Sequence, residues 1–209
     1  MASSLPHCVD MATVRATKLP RWRVVIVDDH ERSRAAVRAA VWAAGGELAG
    51  EATRAADALQ LVRETTPDAA IFAAGLSDGD GVEAAREVTA TIGCPVVLCT
   101  SRTGDDLVER ARTAGVMAFL LKPLRPAELA PALDLAIARH REARALRQSL
   151  EDRKIIEKAK GALMARFGLT EDIAFRRLRK AAMDSRKPMV DIARALLMSE
   201  AVTREVQAP

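Results

Sequence analysis

The segment Arg23-Val24-Val25-Ile26-Val27-Asp28-Asp29 joins a continuous apolar run to two adjacent carboxylates. Four similar apolar runs follow, separated by stretches with helical periodicity, at residues 48–52, 69–73, 95–100 and 117–121. Strands that are buried on both faces of a parallel sheet read as continuous rather than alternating apolar runs. The pattern therefore predicts an α/β fold, a doubly wound (βα)5 parallel sheet over residues 23–125.

The composition is that of a folded protein. Of the 209 residues, 49% are apolar and 29% are charged, which is typical of globular chains and not of disordered ones. No apolar run approaches the ~20 residues needed to cross a bilayer, and residues 1–22 lack the apolar core of a secretory signal. The three cysteines, Cys8, Cys94 and Cys99, match neither a disulfide framework nor a zinc pattern. We therefore expect a cytoplasmic protein without a membrane segment, whose residues 1–22 form a flexible extension.

The charge is distributed unevenly along the chain. Residues 139–209 contain 17 Lys and Arg against 10 Asp and Glu, a net charge of +7, whereas residues 1–138 contain 15 against 18, a net charge of −3. A basic second half favours a polyanionic partner such as a nucleic acid. A solvated surface of basic helices would produce the same count.

Helical periodicity is nearly uninterrupted from Pro126 to about Arg166. Residues 126–150 are predicted to be a linker helix. They carry a weak coiled-coil pattern that predicts the seam of a homodimer. Apolar side chains recur every seven residues at Leu129, Ala136, Ala143 and Leu150, with Leu146 beside them. Residues 151–209 are predicted to form a small all-α, three-helix domain. In its second helix Thr170 is the expected N-cap, and the apolar face is expected to hold Ala174, Leu178, Ala181 and Ala182.

Polar side chains follow three of the predicted strands. Asp28 and Asp29 end the first strand, Thr100 and Ser101 end the fourth, and Lys122 follows the fifth. Ligand sites in doubly wound sheets lie outside the carboxyl ends of the strands. Two carboxylates suit Mg²⁺, and a hydroxyl with a lysine suits a phosphoryl group.

These motifs resemble the receiver domain of bacterial response regulators. The resemblance rests on Val25–His30, on Pro95–Ser101 and on Ala118–Pro123. It implies that Asp29 binds Mg²⁺ with the help of Asp28, that Thr100 is the switch hydroxyl and that Phe119 is the switch aromatic. It also implies that Lys122 contacts the phosphoryl group and precedes a cis proline, Pro123.

One position departs from the receiver pattern. Aligning Pro67-Asp68 at one end of the third strand and Asp80-Gly81 at the other places Ala73 where the phosphorylated aspartate is expected. A methyl group neither attacks phosphorus nor ligates a metal, so we expect a degenerate site with no phosphoacceptor, no catalytic residue, no cofactor and at most weak Mg²⁺ binding at Asp28 and Asp29. Asp78 lies in a loop, where turn chemistry is its expected role.

The tail closely resembles the ANTAR domain, a three-helix RNA-binding module of transcription antitermination regulators. The resemblance rests on residues 153–164, on residues 174–183 and on Asp191-Ile192-Ala193. The predicted RNA-binding residues are Arg153, Lys154, Lys158, Lys160, Gly161, Arg176, Arg179 and Lys180. Glycine inside a helix costs about 1 kcal/mol relative to alanine, so Gly161 indicates a close approach by another helix or by a ligand phosphate. Phe167 and Phe175 are expected in the core.

The leading hypothesis is a non-enzymatic antitermination regulator that holds RNA hairpins in a leader transcript and acts as a homodimer. One alternative is an adaptor whose degenerate receiver docks a sensor or regulatory protein. Another is a phosphorylated response regulator that binds DNA, although the chain shows no recognisable helix-turn-helix and lacks the aspartate.

Overall fold

The computed structural model describes residues 21–102 and 104–207. Its central sheet has five parallel strands, and a separate short hairpin of two strands lies between the third and fourth of them in the chain. The strand bounds are Arg23–Val27 (β1), Glu47–Ala52 (β2), Ala69–Ala73 (β3), Gly75–Leu76 (β4) and Gly79–Asp80 (β5) of the hairpin, Val96–Thr100 (β6) and Ala118–Leu121 (β7). The order of strands in the central sheet is β2-β1-β3-β6-β7. The predicted doubly wound α/β fold is confirmed, and each predicted strand agrees with the observed one to within a residue at either end.

Five helices cover the two faces of this sheet. They are Glu31–Ala43 (α1), Ala55–Thr65 (α2), Gly81–Thr91 (α3), Asp105–Thr113 (α4) and the start of a long helix, Pro126–Phe167 (α5). Side chains alternate along each strand, so Val25 and Val27 pack with α2, α3 and α4, while Val24 and Ile26 pack with α1 and α5. Both faces of the sheet are therefore buried, as its continuous apolar strands require.

The beginning of α5 differs from its prediction as a linker. Leu129, Leu133 and Ala136 are fully buried in the core on the α1 side of the sheet. The chain divides into two compact units, and the boundary along the sequence falls between Ala138 and Arg139. Residues 126–138 are thus part of the receiver-like unit, and Leu129 and Ala136 are unavailable to a coiled-coil seam because they already fill this core.

The predicted N-terminal extension, residues 1–22, includes a residue that belongs to the folded core. Trp22 is buried in the same core, and its indole Nε1 donates a hydrogen bond to Asp134 at 2.9 Å. The lone apolar side chain at this position gave no periodicity in the sequence, so its packing was not predictable. Residues 1–20 lie outside the described residues.

The second unit is all-helical, as predicted. It contains the end of α5, then Glu171–Ser185 (α6) and Met189–Gln207 (α7). Its core is formed by Ala159 and Leu163 of α5, Ala174 and Leu178 of α6, and Ala193 of α7. Within the described part of the chain, no helix is long and apolar enough to span a membrane.

Two details of α6 differ from the prediction. Thr170 occupies the N-cap position, but its side chain makes no capping hydrogen bond. Ala181 is exposed, whereas Ala182 is buried. The apolar stripe of α6 is therefore narrower than the sequence suggested, and more of the helix surface is left to polar residues.

Candidate functional site

The acid pair lies at the carboxyl end of β1, as predicted. Asp28 is buried, and its carboxylate accepts three hydrogen bonds. Lys122 Nζ lies 2.6 Å and Ser33 Oγ 2.5 Å from Oδ2, while the backbone N–H of His30 lies 2.9 Å from Oδ1. A buried carboxylate needs such partners, because an unpaired one carries a large desolvation penalty.

Asp29 is held by the loop that follows β3. The backbone N–H of Ser77 donates to Oδ2 at 2.8 Å, and His30 Nδ1 lies 2.8 Å from Oδ1. Burial alone would raise the pKa of the Asp29 carboxyl, but the hydrogen bonds from His30 and Ser77 outweigh it and hold the pKa below its ordinary 3.8. Each of the four oxygens of the acid pair therefore has a partner from the protein.

Ala73 ends β3 directly beside this pair and pairs in register with Cys99 of β6. It is 3% exposed and faces a cavity of about 360 Å³ that is also bordered by Thr100 and Lys122. Gly81 fixes the return of the loop, because a Cβ at this position would lie 1.8 Å from the carbonyl oxygen of Ala73. Ala73 thus lines the predicted site.

The remaining receiver-like residues lie around the same sheet edge. Thr100 is buried, and its hydroxyl donates to the carbonyl oxygen of Arg102 at 2.8 Å. Phe119 is half-buried on β7 and packs on the α2–α4 side of the sheet. The Lys122–Pro123 peptide is cis, as the resemblance implied.

Asp78 has a structural role in the loop, as predicted. Its carboxylate accepts hydrogen bonds from the backbone N–H groups of Ala55 at 2.9 Å and Ala56 at 3.4 Å, at the beginning of α2. The bond from Ala55 is the main reason that the pKa of Asp78 is lowered. The side chain lies on a short hairpin, Gly75–Leu76 (β4) with Gly79–Asp80 (β5), where the sequence predicted a loop.

The residues present do not fit a receiver-type Mg²⁺. Asp28, Asp29 and His30 bring one ligand atom each to within 4.8 Å of one another. Mg²⁺ demands near-octahedral oxygen ligation, yet the third carboxylate is absent and the four oxygens of the pair already accept hydrogen bonds. A metal there would have to break several of these bonds, including the one from Lys122.

The predicted RNA-binding residues of the second unit fall into two groups. Six of them have exposed side chains: Arg153, Lys154 and Lys158 on α5, and Arg176, Arg179 and Lys180 on α6. Lys154 pairs with Glu151 at 2.7 Å, and Arg176 Nε donates to the carbonyl oxygen of Asp172 at 3.3 Å. Among the described residues, Arg153, Lys158, Arg179 and Lys180 form no ion pair, so their positive charges are open to a ligand.

Lys160 does not belong to this exposed group. Its side chain is 8% exposed, and Nζ lies 2.8 Å from Glu157 Oε2 and 2.6 Å from Glu171 Oε1. The sequence predicted that it binds RNA. The structure instead shows an internal tie between α5 and the first residue of α6, which the sequence could not reveal because Glu171 is eleven positions away.

Gly161 is exposed, and a Cβ built on it meets no atom within 4 Å. The predicted close approach of another helix is therefore absent within the described residues. A ligand phosphate is the interpretation of this glycine that remains.

Two aromatic side chains that were expected in the core are partly open to solvent. Phe167 is 51% and Phe175 is 36% exposed. The guanidinium of Arg166 lies over the Phe167 ring, 5.3 Å from its centroid. Phe175 borders a groove of about 520 Å³ together with Arg153, Ile156 and Met189. Phe175 follows the buried Ala174 by one position, and that 100° rotation was the signal for its exposure.

Two family models match the chain. Residues 24–134 match the response regulator receiver domain, and residues 144–197 match the ANTAR domain. Together they cover both compact units, and they agree with the two resemblances found in the sequence.

Several characterised proteins are similar over part or most of their length. The transcriptional regulatory protein PdtaR of Mycobacterium tuberculosis is 38% identical over 186 residues, which is 86% of this chain and 90% of that protein. The transcriptional regulatory protein LiaR of Bacillus subtilis is 32% identical over 54% of this chain and 55% of its own. The solved receiver domain of a NarL regulator from Mycobacterium tuberculosis is 32% identical, with a TM-score of 0.52 over 56% of this chain and 97% of that one.

Proposed function

The chain belongs to the family of response regulators that join a receiver domain to an ANTAR domain, and we propose that it is an RNA-binding antitermination regulator. In this proposal it binds hairpins in a nascent leader transcript and stabilises them against the alternative terminator hairpin. RNA polymerase then reads through. The protein acts by binding, and no catalytic step is assigned to it.

The observation that carries this proposal is a set of exposed basic side chains on the ANTAR unit that have no acidic partner among the described residues. Arg179 and Lys180 on α6 and Arg153 and Lys158 on α5 are exposed and form no ion pair within the described residues. Charges on a protein surface that are not neutralised internally release counterions from nucleic acid when they bind. The partly exposed ring of Phe175 adds a face on which an unpaired base can stack.

A homodimer is part of the proposal. Leu146 and Leu150 of α5 are 64% and 53% exposed. They lie four residues apart, so they are neighbours on one face of the helix. Two exposed leucines on a helix surface favour burial against a second copy, and a dimer would present two ANTAR units to paired hairpins.

The receiver unit is proposed to work without phosphorylation. Ala73 offers no nucleophile, and the carboxylates of the acid pair accept hydrogen bonds from Lys122, Ser33, Ser77 and His30. In this view the unit is a pseudo-receiver, and its input comes from a bound partner or ligand.

Binding of the full chain to leader RNAs from its own genome tests the proposal. We expect saturable binding to hairpin RNA, stronger than to duplex DNA of equal length at the same salt concentration, with footprints on the hairpin loops. Equal affinity for random duplex DNA would contradict it. Transcription of the bound leader in vitro, with and without the protein, then tests whether termination falls.

A further inference from the structure

The pocket beside Ala73 is lined by groups that suit an anion. The side chains that border it are basic or hydroxyl-bearing at six positions, namely His30, Arg32, Ser33, Thr100, Ser101 and Lys122. Among the described residues no carboxylate borders it, and the oxygens of Asp28 and Asp29 accept hydrogen bonds from Ser33 and Ser77. An anion in this pocket would meet donors first and the acid pair only behind them.

The charge balance also favours an anion more than in a receiver that carries the aspartate. Asp28 and Asp29 are offset by Lys122 and Arg32, so the nearby formal charge is zero with a neutral His30. A third carboxylate at position 73 would make it −1 and would repel a free anion. Alanine removes this repulsion and leaves its space open.

Three donors around the pocket have capacity to spare. An ammonium group has three N–H donors, and Lys122 spends one on Asp28. Arg32 and Ser101 are exposed and have no hydrogen-bond or ion-pair partner among the described residues. Lys122 follows β7, Arg32 lies in the first turn of α1 and Ser101 follows β6. The three donors therefore reach the pocket from three directions.

We propose that this pocket binds the phosphate group of a small ligand without forming a covalent bond, in the space that Ala73 leaves. The inference rests on the proposed function only in assuming that the receiver unit is not phosphorylated. A phosphate offers several oxygens in a tetrahedral array, which matches donors from three sides, and arginine with lysine is a preferred phosphate-binding pair. The cavity of about 360 Å³ leaves room for a small organic group on the phosphate.

Inorganic phosphate and glycerol 3-phosphate, each added to the full chain in EDTA at constant ionic strength, provide the test. Calorimetry and ³¹P line broadening should show saturable binding at one site per chain, with acetate binding more weakly. The two phosphate probes separate free phosphate from a phosphate ester as the preferred ligand. Binding that requires Mg²⁺ would overturn the proposal of a metal-free site.

Variants locate the site. Arg32→Gln removes one charged donor and should weaken phosphate binding about tenfold. Arg63→Gln, which changes an exposed arginine on α2 with no partner among the described residues, should leave it unchanged. Ala73→Asp should abolish binding by charge and volume, and Ala73→Leu by volume alone, with circular dichroism to confirm that both variants fold.

The result separates this inference from the proposed function. If the chain binds hairpin RNA but neither phosphate probe, the pocket proposal alone fails. If Ala73→Leu and Arg32→Gln bind phosphate as the parent does, the anion sits elsewhere and the proposal is again wrong. If phosphate binds and RNA does not, the pocket stands and the antitermination proposal falls.

Discussion

Lys160 on α5 and Glu171 at the start of α6 form an ion pair of 2.6 Å that ties two helices of the ANTAR unit together. Glu157, one turn before Lys160, contacts the same ammonium at 2.8 Å. The hydrogen bond that Lys160 donates to Glu157 is the main reason that the pKa of Lys160 is raised, and Lys160 in turn lowers the pKa of Glu171. A lysine that the sequence predicts to bind RNA is thus paired within the unit, and we expect its role to be the positioning of α6.

Replacing this lysine should reduce stability rather than RNA contact. We expect Lys160→Met to lower the melting temperature of the helical unit, because the apolar stem is kept while both ion pairs are lost. RNA affinity measured well below the melting temperature should change little. Lys154→Met is the matched control, since Lys154 is exposed and pairs only with Glu151 of its own helix. A large loss of RNA affinity at unchanged melting temperature would show that Lys160 contacts RNA.

The ion pair of Lys160 and Glu171 predicts that the stability of the ANTAR unit depends on pH. The raised pKa of Lys160 means that its contribution is complete below the ordinary value of 10.5 and is lost as the pH rises through the raised pKa. The lowered pKa of Glu171 means that its contribution is complete above 4.5 and is lost as the pH falls through the lowered pKa. The difference in melting temperature between the parent and Lys160→Met should therefore be constant near neutral pH and shrink at both extremes.

Gly161→Ala separates stability from RNA binding in the opposite sense. A Cβ at this position meets nothing within 4 Å, so the substitution should stabilise the helix by about 1 kcal/mol. If an RNA phosphate approaches the bare backbone here, affinity should fall although the protein is more stable. Ala165→Gly, one turn further on and also exposed, should lose stability and keep its affinity. A more stable Gly161→Ala variant with unchanged RNA affinity would rule out this contact.

Arg179 offers the most direct test of the basic surface. It is exposed and has no ion-pair partner among the described residues, so Arg179→Gln should weaken RNA binding without affecting the fold. If Arg179 contacts one phosphate, the dependence of log affinity on log salt should become shallower by about 0.7 to 0.9. Arg63→Gln in the other unit removes the same charge and is the control. An equal effect of both substitutions would indicate a general charge effect rather than a contact.

The strands and helices of the receiver unit were predictable because the local sequence pattern of each agrees with its burial in the fold. Buried parallel strands read as apolar runs, and site residues follow them at the carboxyl edge. What the sequence could not supply were partners distant along the chain, such as Ser77 on Asp29 or Asp134 on Trp22. The heptad pattern was misleading for a related reason, since Leu129 and Ala136 repeat every seven residues while packing into the receiver core.

The main difference between prediction and structure in the ANTAR unit is the exposure of two aromatic side chains. An aromatic residue in a small domain is usually assigned to the core because burying it contributes most to stability. The core here is filled instead by Ala159, Leu163, Ala174, Leu178 and Ala193. Helices packed through alanines leave little room for a phenyl ring, and Phe167 and Phe175 remain at the surface.

Dimerisation should depend on a seam that is shorter than the heptad pattern suggested. We expect Leu146→Glu with Leu150→Glu to convert a dimer to a monomer in sedimentation, because two charges would be buried against the second copy. Met198→Glu, which changes an apolar side chain that is 70% exposed on α7, is the control and should remain dimeric. A parent chain that sediments as a monomer with and without RNA would contradict the proposed dimer.

Ala73→Asp should convert the proposed pseudo-receiver into a phosphorylatable domain. The new carboxylate would end β3 beside Thr100 and Lys122, and with Asp28 and Asp29 it would supply the three carboxylates that suit Mg²⁺. Magnesium binding would compensate for the added negative charge, so we expect the variant to be stabilised by Mg²⁺ while the parent is indifferent to it.

After treatment with acetyl phosphate and Mg²⁺, mass spectrometry should show one acid-labile phosphoryl group on the variant and none on the parent. Ala73→Asn has the same size without the charge or the nucleophile and should remain unmodified. An acid-labile phosphate on the parent at Asp28, Asp29 or Asp78, coupled to a change in RNA affinity, would show that the site is active despite its alanine.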